Sequence, residues 1–417
     1  MIQFFHTADI HLGVENYGKT DAKTGMHSRL SDFANSLEEC INLAIKKNID
    51  FFLFCGDAYK TAWPTPTQQK ILIELFLKLQ KNNIPIVIII GNHDHPLSFG
   101  KANSLDIFGC LPLPEFHVIT KPQILKLKTK NGLIQIVGIP WPTRNNIIST
   151  KYFNLKNNDE ITQYLSQAIG DIIKNFASQL DENIPAILAG HLTVSSGIFS
   201  GSEKCAVFGN DPVFLPSQLA IKPFDYVALG HLHRHQNLNS KGYPAVVYSG
   251  SIERVDFGER NESKGFCHVK IDETKSKRCS FDFIKLNTRK MLQIEVELAG
   301  EQDQTEQILK ELEKHDIQDA IIKIIYHIPE NKKDKVDLQK IQFACSKAHF
   351  IAGLIPIKKI TTLREKRISL KIDMDFTTIL DKFLDTKNLS KDQKENLFKK
   401  AQYIYDQAKQ ETDPPSL

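Results

Sequence analysis

The chain has 417 residues, of which 41 % are hydrophobic, and a formal net charge of +4. That length predicts two or three domains with a sizeable core, and so small a net charge excludes a generally basic nucleic-acid-binding surface, leaving only a local patch. Seven cysteines without a C-x-x-C pair argue against a disulfide framework or zinc knuckle and suit a reducing cytoplasm.

No run of about 18 apolar residues occurs, so no membrane span is expected. The opening MIQFFHTADIHLG has neither a basic segment nor a following apolar stretch, so no secretory signal is expected. Short apolar segments then follow one another: QFFHTA, DFFLFCG, IPIVIIIG, IQIVGIP, IPAILAG, FDYVALG and AVVYSG. Their β-branched and aromatic content and glycine endings predict strands. Phe33, Leu37, Cys40, Ile41 and Ala44 recur at helical spacing, as do Ile71, Leu72, Leu75 and Leu79. Strands alternating with helices predict an α/β layered core over residues 1–286.

After Leu286 the texture changes. KMLQIEVELAG reads as a strand, Glu306 to Lys314 as a charged helix, AIIKIIYHI as a second strand, and a further helix follows PENKKDKVD. This predicts a small α/β unit over residues 287–360. From Thr361 the basic TTLREKRISLK reads as a linker, and residues 361–417 end in two short amphipathic helices. Phe376, Ile379, Leu380, Phe383 and Leu384 form one stripe; Leu397, Phe398, Ala401, Ile404, Tyr405 and Ala408 form the other. Ser390 and Gln393 are spaced for a capping box.

Polar residues gather where the strands stop. Asp9 and His11 follow the first strand, Asp57 the second, and Asn92, His93 and Asp94 the third; His191 ends IPAILAGH, and His231 and His233 follow FDYVALG. In an α/β sheet the ligand crevice lies at the carboxyl ends of strands. Gly56, Gly91, Gly190 and Gly230 precede these groups, and glycine permits a sharp turn there. A single histidine after a strand is more often capped or solvent-facing than a ligand, and GD or GH alone is an ordinary turn. The ordered set, each after an apolar strand, is specific. Histidine, carboxylate and amide donors without thiolate suit Mn, Fe or Zn. Seven such donors exceed the needs of one ion and fit two ions about 3.5–4 Å apart that share a carboxylate. His6, inside the first strand, is expected to be structural, and Cys55 and Cys205 to be small buried apolar groups.

The ordered motifs D-x-H, G-D, G-N-H-D, G-H and G-H-x-H resemble the calcineurin-like metallophosphoesterases over roughly Met1 to Leu286. The resemblance implies a layered β-sandwich core flanked by helices. It makes Asp9, His11, Asp57 and His233 ligands of a first metal, with Asp57 bridging. Asn92, His191 and His231 complete the second site. His93 becomes a non-ligand general acid and Asp94 the group that orients its ring.

HTADIHLG, GDAYKTAWPTP, GNHDHPLSFGKA, GIPWP, GHLTVSSG, ALGHLHRHQ and YSGSIERVDFGE are more narrowly similar to the SbcD family, the nuclease subunits of bacterial SbcCD complexes. That resemblance implies a capping domain after the core and a C-terminal helical pair. The pair would dock on the coiled-coil root of an SbcC-like, SMC-type ATPase, through Phe376, Leu380, Phe383, Leu397, Ala401 and Ile404. It further implies two Mn2+ ions, homodimerisation, a cytoplasmic location and action on DNA ends and hairpins in repair and recombination. The implied activities are double-strand exonuclease and single-strand or hairpin endonuclease, stimulated by the ATPase. Lys60 stands where archaeal and eukaryotic relatives tend to carry a second catalytic histidine, so no such role is carried over. Lys19, Lys23, Arg29, Lys60 and Arg144 are candidates for DNA backbone contacts near the rim. The competing readings are a phosphatase or cyclic-nucleotide phosphodiesterase on the same core, and a non-catalytic DNA-end scaffold.

Overall fold

Phe51–Phe54 and Ile86–Ile89 are apolar and buried at every position. A strand apolar on both faces must be covered on both, and the structure does this by stacking two sheets and flanking them with helices. It is a computed structural model that describes residues 1–96, 101–110, 112–143, 158–201, 211–275, 277–299, 302–358, 376–385, 387 and 389–411. The expected linker after Thr361 lies outside the described residues.

The first six-stranded sheet runs in the order β14 (Cys279–Lys285), β13 (Gly265–Ile271), β1 (Ile2–Thr7), β2 (Phe51–Phe54), β3 (Ile86–Ile89), β4 (Phe116–Ile119). From β1 to β4 the neighbours are parallel; β13 and β14 are antiparallel additions. The second sheet runs β11 (Gln236–Asn237), β12 (Ala245–Tyr248), β10 (Tyr226–Gly230), β7 (Ala186–His191), β6 (Gly132–Ile139), β5 (Gln123–Thr129). There β12, β10, β7 and β6 are parallel. A two-stranded ribbon, β8 (Thr193–Val194) with β9 (Val213–Phe214), lies beside it in the chain.

Side chains alternate faces along each strand, and the packing follows that rule. Phe4, Phe51, Leu53, Val87 and Ile89 of the first sheet share one core with Ile134, Ile136, Ile187, Ala189, Tyr226 and Ala228 of the second. Phe4 stacks on Phe51 with centroids 4.5 Å apart. The alternate residues Phe5, Phe52, Phe54, Ile86 and Ile88 meet Phe33, Leu37, Ile41, Leu72 and Phe76 of helices α1 (Ser28–Lys47) and α2 (Pro66–Lys81). Thr65 and Gln68 close a capping box at the start of α2, with proline at its first turn. On the far face of the second sheet, Val137, Leu188 and Val227 pack with Ile169 and Ile173, carried by the helix Asn158–Ser178. The layers are therefore helix, sheet, sheet, helix, as the family resemblance implies. The strand β14 is absent from the apolar pattern because it is only half covered and its residues alternate in polarity; β13 is buried but interrupts its apolar residues with His268 and Lys270.

The chain divides into two compact units, residues 1–296, 303–325 and 336–355 forming the first, and 297–302, 326–335 and 356–417 the second. A three-stranded sheet follows the sandwich, in the order β15 (Met291–Glu297), β16 (Ile321–Ile328), β17 (Phe350–Lys358). Its helix Gln304–Leu312 starts two residues before the expected Glu306, because the Asp303 carboxylate accepts from the Thr305 and Glu306 N–H groups. Phe257, Met291 and Ile321 form a small core there, with Tyr17, Phe350 and Ala352 against it.

In the second unit, the helices Phe376–Asp385 and Lys391–Glu411 pack on each other. Phe376 and Tyr405 stack at 4.0 Å with planes 4° apart, and Lys394 bridges Asp381 and Asp385. The capping box forms as its spacing predicts: Gln393 N–H donates to Ser390 Oγ, and Ser390 N–H to Gln393 Oε1. Phe383, Leu397 and Ile404 stay 49 %, 45 % and 65 % exposed. Among the described residues no helix is long and apolar enough to cross a membrane.

Ile89 sits in the layer between the sheets with no exposure. Ile89→Ala should cost about 2–5 kcal/mol, read as a lowered midpoint in urea unfolding; a loss under about 0.5 kcal/mol would place the core elsewhere.

Candidate metal centre

Both sheets end at one rim. The chain leaves β1, β2 and β3 of the first sheet and β7 and β10 of the second, and each exit carries one or two donor side chains. The backbone there is held in an uncommon shape: Asp9, His11, Asp57 and His231 have φ of 53°, 50°, 59° and 105°. Such left-handed conformations at non-glycine residues cost about 1–3 kcal/mol each and persist only where neighbours enforce them. Hydrogen bonds do the enforcing. Asp9 N–H donates to the Gly56 carbonyl at 2.9 Å, His11 N–H to that of Asp57 at 3.0 Å, and Leu12 N–H to that of Ala58 at 2.9 Å. His231 N–H, from the second sheet, donates to both oxygens of Asp9 at 3.1 Å.

Of the glycines expected as turns, only Gly56 takes a positive φ, at 90°. Elsewhere the need is for space: a Cβ on Gly91 would collide with Asp57 Oδ1, and one on Gly230 with the Cys55 carbonyl oxygen. The left-handed turn falls on the donor residue itself at Asp57 and His231.

Asp57 is the hub. Its Oδ2 lies 3.4 Å from His191 Nε2, 3.8 Å from His11 Nε2 and 3.9 Å from His93 Nε2, while its Oδ1 accepts from His93 N–H at 2.8 Å. On one side, His11 Nε2 and His233 Nε2 approach to 2.9 Å, beside Asp9. On the other, Asn92 Oδ1 lies 2.9 Å from His191 Nε2 and 3.1 Å from His231 Nδ1. His191 Nδ1 donates to the Cys55 carbonyl at 2.7 Å, so in the neutral ring it is Nε2 that offers a lone pair to the site.

Among the described residues, three groups can chelate a cation, each with donor atoms within 4.8 Å of one another: Asp9, His11 and His233; His11, Asp57 and His93; Asp9, Asp57 and His191. The set is nitrogen and oxygen only, since the Cys55 thiol turns to the Ala228 carbonyl. Among the described residues, His231 Nε2 is buried with no hydrogen-bond partner. Asp211 Oδ2 stands 3.8 Å from that atom, an acidic neighbour that no sequence motif signals. A buried, mixed imidazole–carboxylate–amide cluster with an unsatisfied nitrogen fits a hard to borderline divalent cation.

The electrostatics agree with crowding of charge in a dry site. Burial alone would lower the His191 pKa, but the Asp57 carboxylate outweighs it and holds the ring up at about 9. His231 is pushed down to about 3 by burial and by His191. Burial raises Asp9 to about 6 against the pull of His191 and His233. Burial also works against the Asp57 charge, yet His191 and His93 keep it well below the usual carboxylate range.

Two residues have other roles than those expected. Asp94 does not orient His93. Its carboxylate is fully buried and accepts three backbone N–H groups, from Asp57 at 2.8 Å, Ala58 at 3.0 Å and Gly91 at 3.0 Å. The His93 ring is half exposed, and its Nδ1 is held instead by the Lys60 carbonyl at 2.8 Å. Arg29 is no surface contact for DNA: it is wholly buried, bound to Asp32 at 2.7 Å and to the Arg254 carbonyl. A cation on the polar-looking first turn of α1 reads as solvent-facing in sequence, and only the acidic neighbours reveal that it is inside. Lys19, Lys23 and Lys60 are exposed; Arg144 lies outside the described residues. His6 is structural as expected, held by the Tyr226 hydroxyl and the Leu229 carbonyl.

Two further residues of the site, Trp141 and Glu259, escape a reading of the sequence. The Trp141 ring lies 4.9 Å from that of His231 and 5.9 Å from that of His191, walling the site after β6. Glu259 Oε1 lies 2.7 Å from His233 Nδ1. Both sit in stretches that carry the resemblance, GIPWP and VDFGE, yet neither is a donor type placed directly after a strand.

The layered core and a rim of buried aspartates and histidines define a metal-dependent phosphoesterase. The chain belongs to the calcineurin-like phosphoesterase family, whose profile matches residues 2–235. It is similar to the D subunit of nuclease SbcCD from Staphylococcus epidermidis, 28 % identical over 274 residues, which is 65 % of this chain and 66 % of that protein. The Staphylococcus saprophyticus protein of the same name is 29 % identical over 297 residues, 70 % of this chain and 71 % of that protein. The matched span is thus about two thirds of these relatives' own length. A solved dimetal phosphatase from Danio rerio aligns over 64 % of this chain and 92 % of its own, at 9 % identity and a TM-score of 0.38, a likeness too slight to build on.

If Asp94 acts as a backbone clasp, Asp94→Ala strands three buried N–H donors at about 1–3 kcal/mol each. Thermal unfolding should then show a large drop in midpoint, with His93→Ala nearly unchanged. Equal, small shifts for the two variants would return Asp94 to the role of ring orienter.

Proposed function

We propose that this chain is the nuclease subunit of an SbcCD-type complex and hydrolyses DNA phosphodiesters with two divalent cations, Mn2+ by family preference. The observation that carries the reading is the Asp57 carboxylate within 3.4–3.9 Å of three imidazoles drawn from both sheets. In this reading Asp9, His11, Asp57 and His233 hold one ion, and Asn92, His191 and His231 hold the other, with Asp57 shared. The ions, when bound, polarise the phosphoryl oxygens and acidify a water.

The protein's own residues do the rest. The neutral amide of Asn92 adds a donor without adding negative charge, which keeps the site attractive to a phosphate. With its Nδ1–H given to the Lys60 carbonyl, a protonated His93 has its Nε2–H left for the leaving 3′-oxygen, as a general acid requires. Lys19, Lys23 and Lys60 offer contacts to the DNA backbone, which position a strand without reading bases. The exposed Phe383, Leu397 and Ile404, with Phe376, Leu380 and Ala401 beside them, suit the coiled-coil root of an SMC-type ATPase. In the same reading the protein works in the cytoplasm as a homodimer, on DNA ends and hairpins, as exonuclease and endonuclease.

Separate variants test the division between metal and acid. Asp57→Ala should lose most bound Mn2+ by elemental analysis together with activity. His93→Ala should keep its metal and lose turnover by about 10²–10⁴-fold. Metal loss in the His93 variant as severe as in the Asp57 variant would reject this division.

Substrate and partner are tested together. The purified protein with Mn2+ should cut DNA slowly alone, and faster with the ATPase and ATP. Phe383→Glu with Ile404→Glu should abolish co-purification with the ATPase and the stimulation, while leaving basal cutting intact. Efficient hydrolysis of phosphomonoesters or cyclic nucleotides with no DNA cleavage would make the protein a phosphatase or phosphodiesterase instead.

A further inference from the structure

We infer that Glu259 and Lys264 are positioning residues that fix the tautomer and aim of His233, an assignment that rests on His233 being a metal ligand. Glu259 Oε1 lies 2.7 Å from His233 Nδ1. An ionised carboxylate can only accept, so Nδ1 carries the hydrogen and Nε2 keeps its lone pair. That Nε2 is the atom 2.9 Å from His11 Nε2, inside the cluster.

The carboxylate is itself pinned. Its Oε2 accepts from Lys264 Nζ at 2.8 Å and from Val255 N–H at 2.9 Å. Lys264 Nζ also donates to the backbone carbonyl of His233 at 3.0 Å and to Glu262 at 3.0 Å. The three residues thus close a ring: imidazole to carboxylate, carboxylate to ammonium, ammonium back to the peptide that bears the imidazole. Glu259 and Lys264 are both almost wholly inaccessible. A buried lysine is rare unless paired, and here its pairing serves a histidine. His191 is fixed by a backbone carbonyl and His93 by another, so among these three rings His233 is the one oriented by a charged group. Outer carboxylates of this kind orient metal-ligating histidines and strengthen them as donors.

The competing explanation is that Glu259 only stabilises the segment from Val255 to Lys264. Two readouts separate the two, applied to the full chain carrying Glu259→Gln, which keeps shape and loses charge, and Glu259→Ala. The first is the tautomer of His233, read from ¹⁵N shifts of histidine-labelled protein without added metal at alkaline pH. The wild type should show the Nδ1–H form at His233, and both variants should show the Nε2–H form gaining population. The second is Mn2+ affinity by calorimetry, which should fall about 10–100-fold in Glu259→Ala and less in Glu259→Gln. A folded Glu259→Gln protein with wild-type tautomer and wild-type Mn2+ affinity would overturn the assignment, even if Glu259→Ala fails to fold. Should the wild type bind no Mn2+ at all, the metal reading falls by itself, and the tautomer measurement still decides whether Glu259 aims the ring.

Discussion

The rim rests first on one fully buried carboxylate that is bound to backbone N–H groups and not to an imidazole. Asp94 gathers the N–H groups of Gly91, Asp57 and Ala58, and so ties the exit of β3 to that of β2. It shares with the His11 N–H, which donates to the Asp57 carbonyl, the work of holding the left-handed backbone at Asp57. With it, Asp57 reaches into the seam between the sheets, and the rings of His11, His93 and His191 arrange about its free oxygen. Asp9 plays a parallel part across the seam, accepting from His231 N–H. The two sheets meet through apolar layers along their length, but at the rim they are joined by polar contacts, the Asp9 carboxylate with His231 N–H and the His191 ring with the Cys55 carbonyl among them.

This arrangement explains why the site tolerates so much buried charge. An isolated carboxylate in an apolar interior would give up its charge. Here each is met by backbone N–H groups or by imidazoles, and the outcome differs with the partner: Asp57, ringed by histidines, stays ionised easily, while Asp9 and Asp94 are raised to about 6 by burial. The same residue type thus occupies electrically distinct positions a few ångströms apart.

Much of this is legible in the sequence, for a physical reason. Parallel strands buried on both faces are continuous apolar runs, so where they stop is sharply marked, and a polar side chain just past the stop stands out. The α/β layering, the gathering of Asp9, His11, Asp57, Asn92, His191, His231 and His233, and the capping box at Ser390 follow from such local signals, whereas the pairing of two sheets comes only with the family resemblance. What is not legible depends on distant partners. The place of Asp94 is set by N–H groups from another strand end, that of Arg29 by Asp32 and the far-off carbonyl of Arg254, and that of Glu259 by a histidine on another loop. The strand β14 escapes notice because a half-covered antiparallel edge carries too mixed a pattern to separate from a loop; β13 is buried but has a glycine, a histidine and a lysine among its seven residues.

The short 3-10 turn Phe257–Glu259 serves two masters. Its first residue fills the small core under the three-stranded sheet, with Met291 and Ile321; its last grips the imidazole of His233. Three residues in a single turn have little freedom to move independently, so the turn works as a short gear between the sheet and the ring. The aim of the His233 ring thus shares a single turn with the seating of Phe257 against that sheet.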